Sequence, residues 1–337
     1  MTYESGDFKL HPYPWQATQW QRLCAQKATE KLSHAYLLKG ARGTGKFSFA
    51  TAFAGYVLCS QPEGEAACGH CKNCNLFRSG SHPDLRILQP EEKSRIIKVD
   101  QVREVIEFAS KTAQQGGYRV IIINPAEAMN SNSANALLKS LEEPGEKTLI
   151  LLVSARQGAM LATINSRCQQ LPFPLPARQE SLEWLGGLSN VEPGELELLL
   201  TLADGQPLTA LQFANDQILK ERARLIEEIG SVTKGKNSPM EIAQRWKDQD
   251  VTQLLGWVSG WLADIVRMQQ TGDATTLSNP DLAAMASYIG SKASSRSLFE
   301  LLQWVNEQRA LSQGSANLNR HLMLEELLIR WLHLTLG

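Results

Sequence analysis

Two stretches of this 337-residue chain place residue types at spacings that could do chemistry. The first is GARGTGKFS, Gly40 to Ser48, which nearly completes a phosphate-binding loop: Gly, four residues, then Gly-Lys and a hydroxyl side chain. Gly40, Gly43, Gly45 and Lys46 are the candidate phosphate contacts. Glycine lets backbone N–H groups wrap phosphate oxygens, the following helix N-terminus favours negative charge, and lysine adds a point charge. The residue that should hold Mg²⁺ is Phe47, which cannot ligate a metal. Ser48 comes one position late, about 100° further round a helix of 3.6 residues per turn.

The second stretch is Cys59-x8-Cys68-x2-Cys71-x2-Cys74. A tetrahedral zinc ion needs four donors at about 2.3 Å, and short C-x2-C loops present paired thiolates at that reach. The intervening residues have little apolar content to fold around, so a bound metal would replace the missing core. The four thiols therefore read as a closed structural Zn²⁺ site. His70 as a substitute ligand and an iron–sulfur cluster are the weaker readings.

A loop that hydrolyses ATP needs more than lysine. In P-loop ATPases the third strand ends in an acidic pair, one residue for Mg²⁺ and one to polarise the attacking water. Here Val120–Ile123 runs into Asn124-Pro125-Ala126-Glu127, so the pair is replaced and Glu127 stands three residues late. Independent hydrolysis is not expected. Whether ATP or ADP still occupies the loop stays open, because Lys46 and the backbone could hold phosphates without Mg²⁺.

The elements that must position these groups alternate. A helix is expected over residues 16–32, a strand over Ala35–Leu38, and a helix over Phe47–Leu58. Then come a strand at Leu85–Leu88, a helix capped by Asp100, a strand at Tyr118–Ile123 and a helix over Ser133–Glu143. Strands at Leu149–Val153 and Gln169–Leu171 complete a mostly parallel, doubly covered α/β sheet, whose ligands would lie at the carboxyl ends of its strands. The prolines of LPFPLP, residues 171–176, suggest a domain connection. The expected divisions are a sheet domain over 1–172, a small helical lid over 173–213 and an all-helical domain over 214–337. In the last, Leu254, Val258, Trp261 and Ile265 mark one helix. Leu301, Leu302, Trp304 and Val305 mark a second, and Leu322, Leu324, Leu327, Leu328 and Trp331 a third, with Gly272, Pro280 and Gly314 between elements.

Composition excludes several classes. The formal charge of −1 argues against a stand-alone nucleic-acid binder, although residues 1–172 carry 20 Lys/Arg against 15 Asp/Glu. No apolar run approaches a membrane span and the N-terminus lacks a signal-peptide layout, so a cytoplasmic location with no membrane partner is expected.

Residues 135–144, NALLKSLEEP, followed by Ser166-Arg167-Cys168, resemble the AAA+ clamp-loader subunits of the bacterial DNA polymerase III family. The four cysteines after the loop helix strengthen the likeness, which covers the whole chain. It implies an AAA+ P-loop domain with a zinc-binding insert, a lid, and a C-terminal collar for oligomerisation. Two branches compete. The gamma/tau motors keep an intact Gly-Lys-Thr/Ser loop and an Asp-Glu pair, and Phe47, Asn124 and Pro125 depart from them toward the delta-prime branch. The motors' sensing Thr corresponds to Ser154 and their sensing Arg to about Leu208, so those contacts are missing too. The resemblance further implies that Arg167, flanked by Ser166 and Cys168, is an arginine finger aimed at ATP in a neighbouring subunit. It implies partners as well: gamma/tau and delta subunits directly, the sliding clamp and primed DNA through the complex. The rival readings are a gamma/tau-type motor with an aberrant loop, and a zinc-dependent nucleic-acid module using Lys72, Arg78 and Arg86.

Overall fold

Five short aliphatic runs become strands: β1 (Ala35–Lys39), β2 (Leu85–Leu88), β3 (Arg119–Ile123), β4 (Thr148–Ser154) and β5 (Gln169–Pro172). They form one parallel sheet in the order β2-β3-β4-β1-β5. Side chains alternate between its faces, and both faces are dry. Tyr36, Leu38, Val120, Ile122, Leu149 and Leu151 pack with α1 (Ala17–Ala28) and α2 (Lys46–Leu58). Leu37, Ile121, Ile123, Ile150 and Leu152 pack with α4 (Val99–Ser110) and α5 (Ser131–Glu142). The short α3 (Lys72–Arg78) and α6 (Ala162–Asn165) complete this layer structure. Pro172 ends β5 at the sheet edge, where its missing N–H costs no ladder bond.

The computed structural model describes residues 10–91, 94–155, 160–189, 191–312 and 319–336. The chain divides into two compact units. One takes residues through 188 together with 205–209, and the other takes 189–204 and 210–337. The first includes α7 (Arg178–Gly186); the helices α8 (Pro193–Leu202) and α9 (Pro207–Asn215) follow it in the chain.

The remainder of the second unit is helical: α10 (Ile218–Thr233), α11 (Pro239–Trp246), α12 (Val251–Thr271), α13 (Ala283–Lys292), α14 (Ser295–Ser312) and α15 (Arg320–Leu336). Leu254, Val258, Trp261 and Ile265 all face its core, with Trp246 and Trp331. Asp264 is fully buried and tethers the α12–α13 connection, accepting from the Ser278 and Asn279 backbone N–H groups and from Asn279 Nδ2. Asn279 Oδ1 in turn accepts from Arg222 of α10, whose guanidinium is also paired with Asp281.

Three expectations are corrected. The cap of α4 is Lys98, with Gln101 accepting its backbone N–H; Asp100 lies inside the first turn and pairs with Arg103 at 3.0 Å. The first helix stops at Ala28 rather than 32, and residues 14–16 form a separate 3₁₀ turn. Leu322 is 60% exposed, because it lies on the outer face of α15 while Leu324, Leu327 and Leu328 turn inward. Gly314 lies outside the described residues. No described helix is long and apolar enough to cross a membrane.

Candidate functional site

The phosphate loop closes on itself. Lys46 opens α2, and its ammonium donates to the Gly40 carbonyl at 2.8 Å, to the Ala41 carbonyl, and to Thr44 Oγ1 at 3.4 Å. All three of its hydrogens thus have acceptors inside the loop. Burial pushes the amine down to about 8, with Glu127 pulling the other way. Gly45 has φ +80°, and a Cβ there would meet the Tyr13 ring at 2.5 Å, so glycine is required twice over. Gly40 passes against the Phe173 carbonyl, which a side chain would strike, and Gly43 lies under Gln206 and Thr209.

An aromatic lid that the motif does not announce covers the same turn. Tyr13 and Trp15 stack at 4.9 Å, and Trp184 sets its edge against both rings. Trp15 Nε1 and Gln16 Nε2 both donate to the Thr44 carbonyl, at 3.0 and 2.8 Å. The sequence signal is the aromatic and proline run PYPWQ, residues 12–16. Phe47 packs against the α2 face of the sheet, which is why an apolar residue is tolerated where a metal-binding hydroxyl would stand. Leu208, at the position matched to a sensing arginine, reaches the loop by its backbone N–H, which donates to the Gly43 carbonyl at 3.1 Å. Ser154 is buried at the end of β4.

Beyond β3, Glu127 folds back further than its position in sequence suggested. Its Oε1 accepts from the Ala155 N–H at 3.0 Å, just past β4, and its Oε2 is buried without a partner. It belongs to the electrostatic surroundings of Lys46, yet Asn124 and Pro125 still occupy the end of the strand.

The cysteines form a cage. Cys59 caps the end of α2, Cys71 caps the start of α3, and Cys74 lies in its first turn. The four Sγ atoms lie within 4.8 Å of one another, with separations of 3.6 Å (59–68), 3.8 Å (59–71) and 3.9 Å (68–74). Four thiolates about 2.3 Å from a tetrahedral ion are about 3.8 Å apart. The donor set therefore fits one metal ion and is too tight for a multi-iron cluster. Backbone N–H groups of Gln61, Cys68, Cys71 and Cys74 each point at a sulfur at 3.4 Å, which stabilises thiolate charge. Burial opposes the Cys71 thiolate, but hydrogen bonds from Ser60 and the Cys74 N–H outweigh it and bring the thiol to about 5. His70 turns away, its Nδ1 on the Cys68 carbonyl, and is no part of the cage. Trp20 Nε1 donates to the Glu65 carbonyl at 3.0 Å, tying the insert to α1. Of the three cations near the cysteines, Arg78 is spent on the Gly69 carbonyl and Arg86 on the Leu85 carbonyl and the Phe108 ring.

Arg167 stands elsewhere. It follows α6 and precedes β5, and its guanidinium meets Glu142, the last residue of α5, through Nε at 2.8 Å and Nη2 at 2.5 Å. Nη1 donates to the Thr163 carbonyl at 2.9 Å and approaches Ser166 Oγ at 3.4 Å. Cys168 points inward, and burial raises its thiol to about 12, so it is packing. In the parallel register Gln169 lies beside Tyr36, whereas the phosphate loop follows Lys39. Arg167 and Gly40–Lys46 therefore occupy opposite ends of β1, whose five residues at about 3.3 Å each span about 16 Å. Glu142 was not anticipated; its signal was a glutamate in the last turn of a helix, where the dipole disfavours it.

A family model described as DNA polymerase III, delta subunit, matches residues 15–177, and one described as DNA polymerase III, delta subunit, C terminal, matches residues 216–333. DNA polymerase III subunit delta' of Pseudomonas aeruginosa is 41% identical over 95% of this chain and 97% of its own length. The chain belongs to the DNA polymerase III delta-prime family. The Escherichia coli K12 delta' subunit is 30% identical over 95% of both chains. DNA polymerase III subunit tau of Bacillus subtilis is 31% identical, but over only 56% of this chain and 34% of its own. The two matched ranges cover the sheet and most of the helical C-terminal region, and membership makes this a DNA-replication protein.

Proposed function

We propose that this chain is a non-hydrolysing delta-prime-type subunit of a DNA clamp loader. In this reading Arg167 acts in trans on ATP held by a neighbouring gamma/tau-type motor subunit. The observation that carries the reading is the separation of the two sites. Arg167 cannot serve its own loop from the far end of β1, so a nucleotide it contacts must belong to another chain. A planar, permanently charged guanidinium suits that task, because charge builds on the equatorial oxygens of a transferring phosphoryl group.

The loop supports the same division of labour. Lys46 is committed to the Gly40 and Ala41 carbonyls, Phe47 cannot hold Mg²⁺, and Asn124 offers no carboxylate. Its remaining work is architectural: it joins β1 to α2 and seats the Tyr13–Trp15–Trp184 group. The cysteine cage would hold one Zn²⁺ through Cys59, Cys68, Cys71 and Cys74, with no open coordination position and a purely structural role. The helices from residue 214 onward would form the collar that joins this chain to the gamma/tau and delta subunits. Contact with the sliding clamp and primed DNA would come through the assembled complex.

The test is reconstitution with the motor and delta subunits. The isolated chain should show no ATP turnover, and Arg167→Ala should strongly lower the clamp- and DNA-stimulated ATPase of the assembly. Turnover by the isolated chain would instead favour a motor with an aberrant loop. Unchanged ATPase and clamp loading with Arg167→Ala would remove the finger assignment.

A further inference from the structure

Arg167 is not a free side chain waiting for a phosphate. Its Nε and Nη2 converge on one oxygen, Glu142 Oε1, while Nη1 rests on the Thr163 carbonyl within α6. A guanidinium has five N–H donors in a rigid fork. Two are taken by Glu142 on the Nε side, and the two of Nη1 go to the Thr163 carbonyl and Ser166 Oγ, which leaves one Nη2 hydrogen uncommitted. Arg167 is a third exposed and Glu142 half exposed, so the pair lies at the surface, within reach of a neighbouring subunit.

Glu142 is placed there at a local cost. It is the final residue of α5, at the negative end of the helix dipole, beside a second carboxylate, Glu143, and just before Pro144. The Leu141 carbonyl accepts from His34 Nε2 at 2.9 Å, which fixes this helix end at the amino end of β1, level with Arg167. An exposed ion pair adds little to stability. Its value must lie in what it does to the arginine: it removes rotamers from a long side chain and fixes the plane of the fork.

Resting on the arginine-finger reading above, we infer that Glu142 is a positioning residue for Arg167. It holds the guanidinium by its Nε edge so that the remaining Nη2 donor faces a phosphoryl group bound in the adjoining subunit. Such pre-orientation acts on the transition state more than on nucleotide affinity, because charge stabilisation by the finger depends on alignment.

The experiment uses the reconstituted clamp loader in which only the motor site facing this chain is left active, and measures kcat and KM for ATP. Glu142→Ala should lower kcat about tenfold with little change in KM, the scale expected for a misplaced catalytic group. Glu142→Gln, which keeps the acceptor oxygen, should recover most of that loss. Arg167→Ala should remove about a thousandfold or more, and the double variant should be no worse than Arg167→Ala alone. Melting temperatures of both Glu142 variants should match the wild type. If Arg167→Ala is inactive while Glu142→Ala turns over at the wild-type rate or faster, the positioning role is overturned and the finger stands. A lowered melting temperature with equal effects on KM and kcat would also overturn it. If Arg167→Ala itself keeps full turnover, the finger reading falls, and this inference with it.

Discussion

Removing the metal should destabilise the sheet unit by an amount that the cage geometry allows to be worked out. Three sulfur separations of 3.6 to 3.9 Å already match a tetrahedral ion and all four sulfurs lie within 4.8 Å, so only a small adjustment offsets binding. Apparent binding energies for structural zinc in small peptides run from about 10 to 16 kcal/mol. A mid-range value of about 12 kcal/mol corresponds to a Kd of about 1 nM. At about 1 μM free zinc, a thousandfold excess over Kd, binding stabilises the folded state by about 4 kcal/mol. For a unit of this size each kcal/mol moves Tm by about 2–4 °C, so chelation should lower its melting transition by about 8–16 °C. Cys74→Ser should do the same without chelator, since Cys74 is almost fully buried and its thiolate closes the cage. The assay is calorimetry of the full chain with and without chelator, alongside metal analysis expecting one zinc per chain. Trp20 supplies an independent signal, because its indole N–H holds the Glu65 carbonyl of the insert. A metal-free chain that melts at the temperature of the metal-loaded one, with unchanged Trp20 fluorescence, would refute the argument.

Three other outcomes follow from particular contacts. His82 is buried, its Nδ1 accepts from the Asp84 N–H at 3.1 Å, and its Nε2 has no partner; burial lowers its pKa against the pull of Asp84. Because the folded state disfavours the charged form, its contribution is fully present above the unfolded value near 6.5 and is lost as pH falls below it, so urea midpoints should drop between about pH 6.5 and 5 and His82→Asn should flatten that drop. Gly45→Ala would force a Cβ against the Tyr13 ring at a φ of +80°, and should cost about 2 kcal/mol and increase acrylamide quenching of the Trp15 and Trp184 fluorescence. Asp264→Ala would strip partners from Ser278, Asn279 and Arg267 in the second unit and should lower its stability by about 3 kcal/mol, read from denaturant unfolding at unchanged m.

Much of the fold could be read from residue patterns, because its signals were local. β2 was placed to the residue, and the other strands to within one or two, since each is a short aliphatic run between turn residues. The cysteine cage was legible for the same reason: ligand spacing over sixteen residues encodes its geometry. What escaped depended on tertiary contacts. The start of α4 was misjudged because a lysine with a glutamine three residues on makes a cap that propensity does not favour. Glu127 reached β4 although its sequence position placed it past the strand, and Leu322 faced outward despite sitting in an apolar run. Glu142 and the Tyr13–Trp15 lid were invisible as functional groups, because their partners lie 25 and 29 residues or more away in the chain.

The central claim is that the chemistry of this chain lies at Arg167 and acts on another subunit, while its own loop is scaffold. The most direct test compares two variants, Lys46→Gln and Arg167→Ala, in the same reconstituted assembly, reading stimulated ATP turnover after confirming that each assembles. The account predicts turnover close to wild type with Lys46→Gln and a large loss with Arg167→Ala. The opposite pattern, loss with Lys46→Gln and none with Arg167→Ala, would contradict it and assign hydrolysis to this chain's own loop.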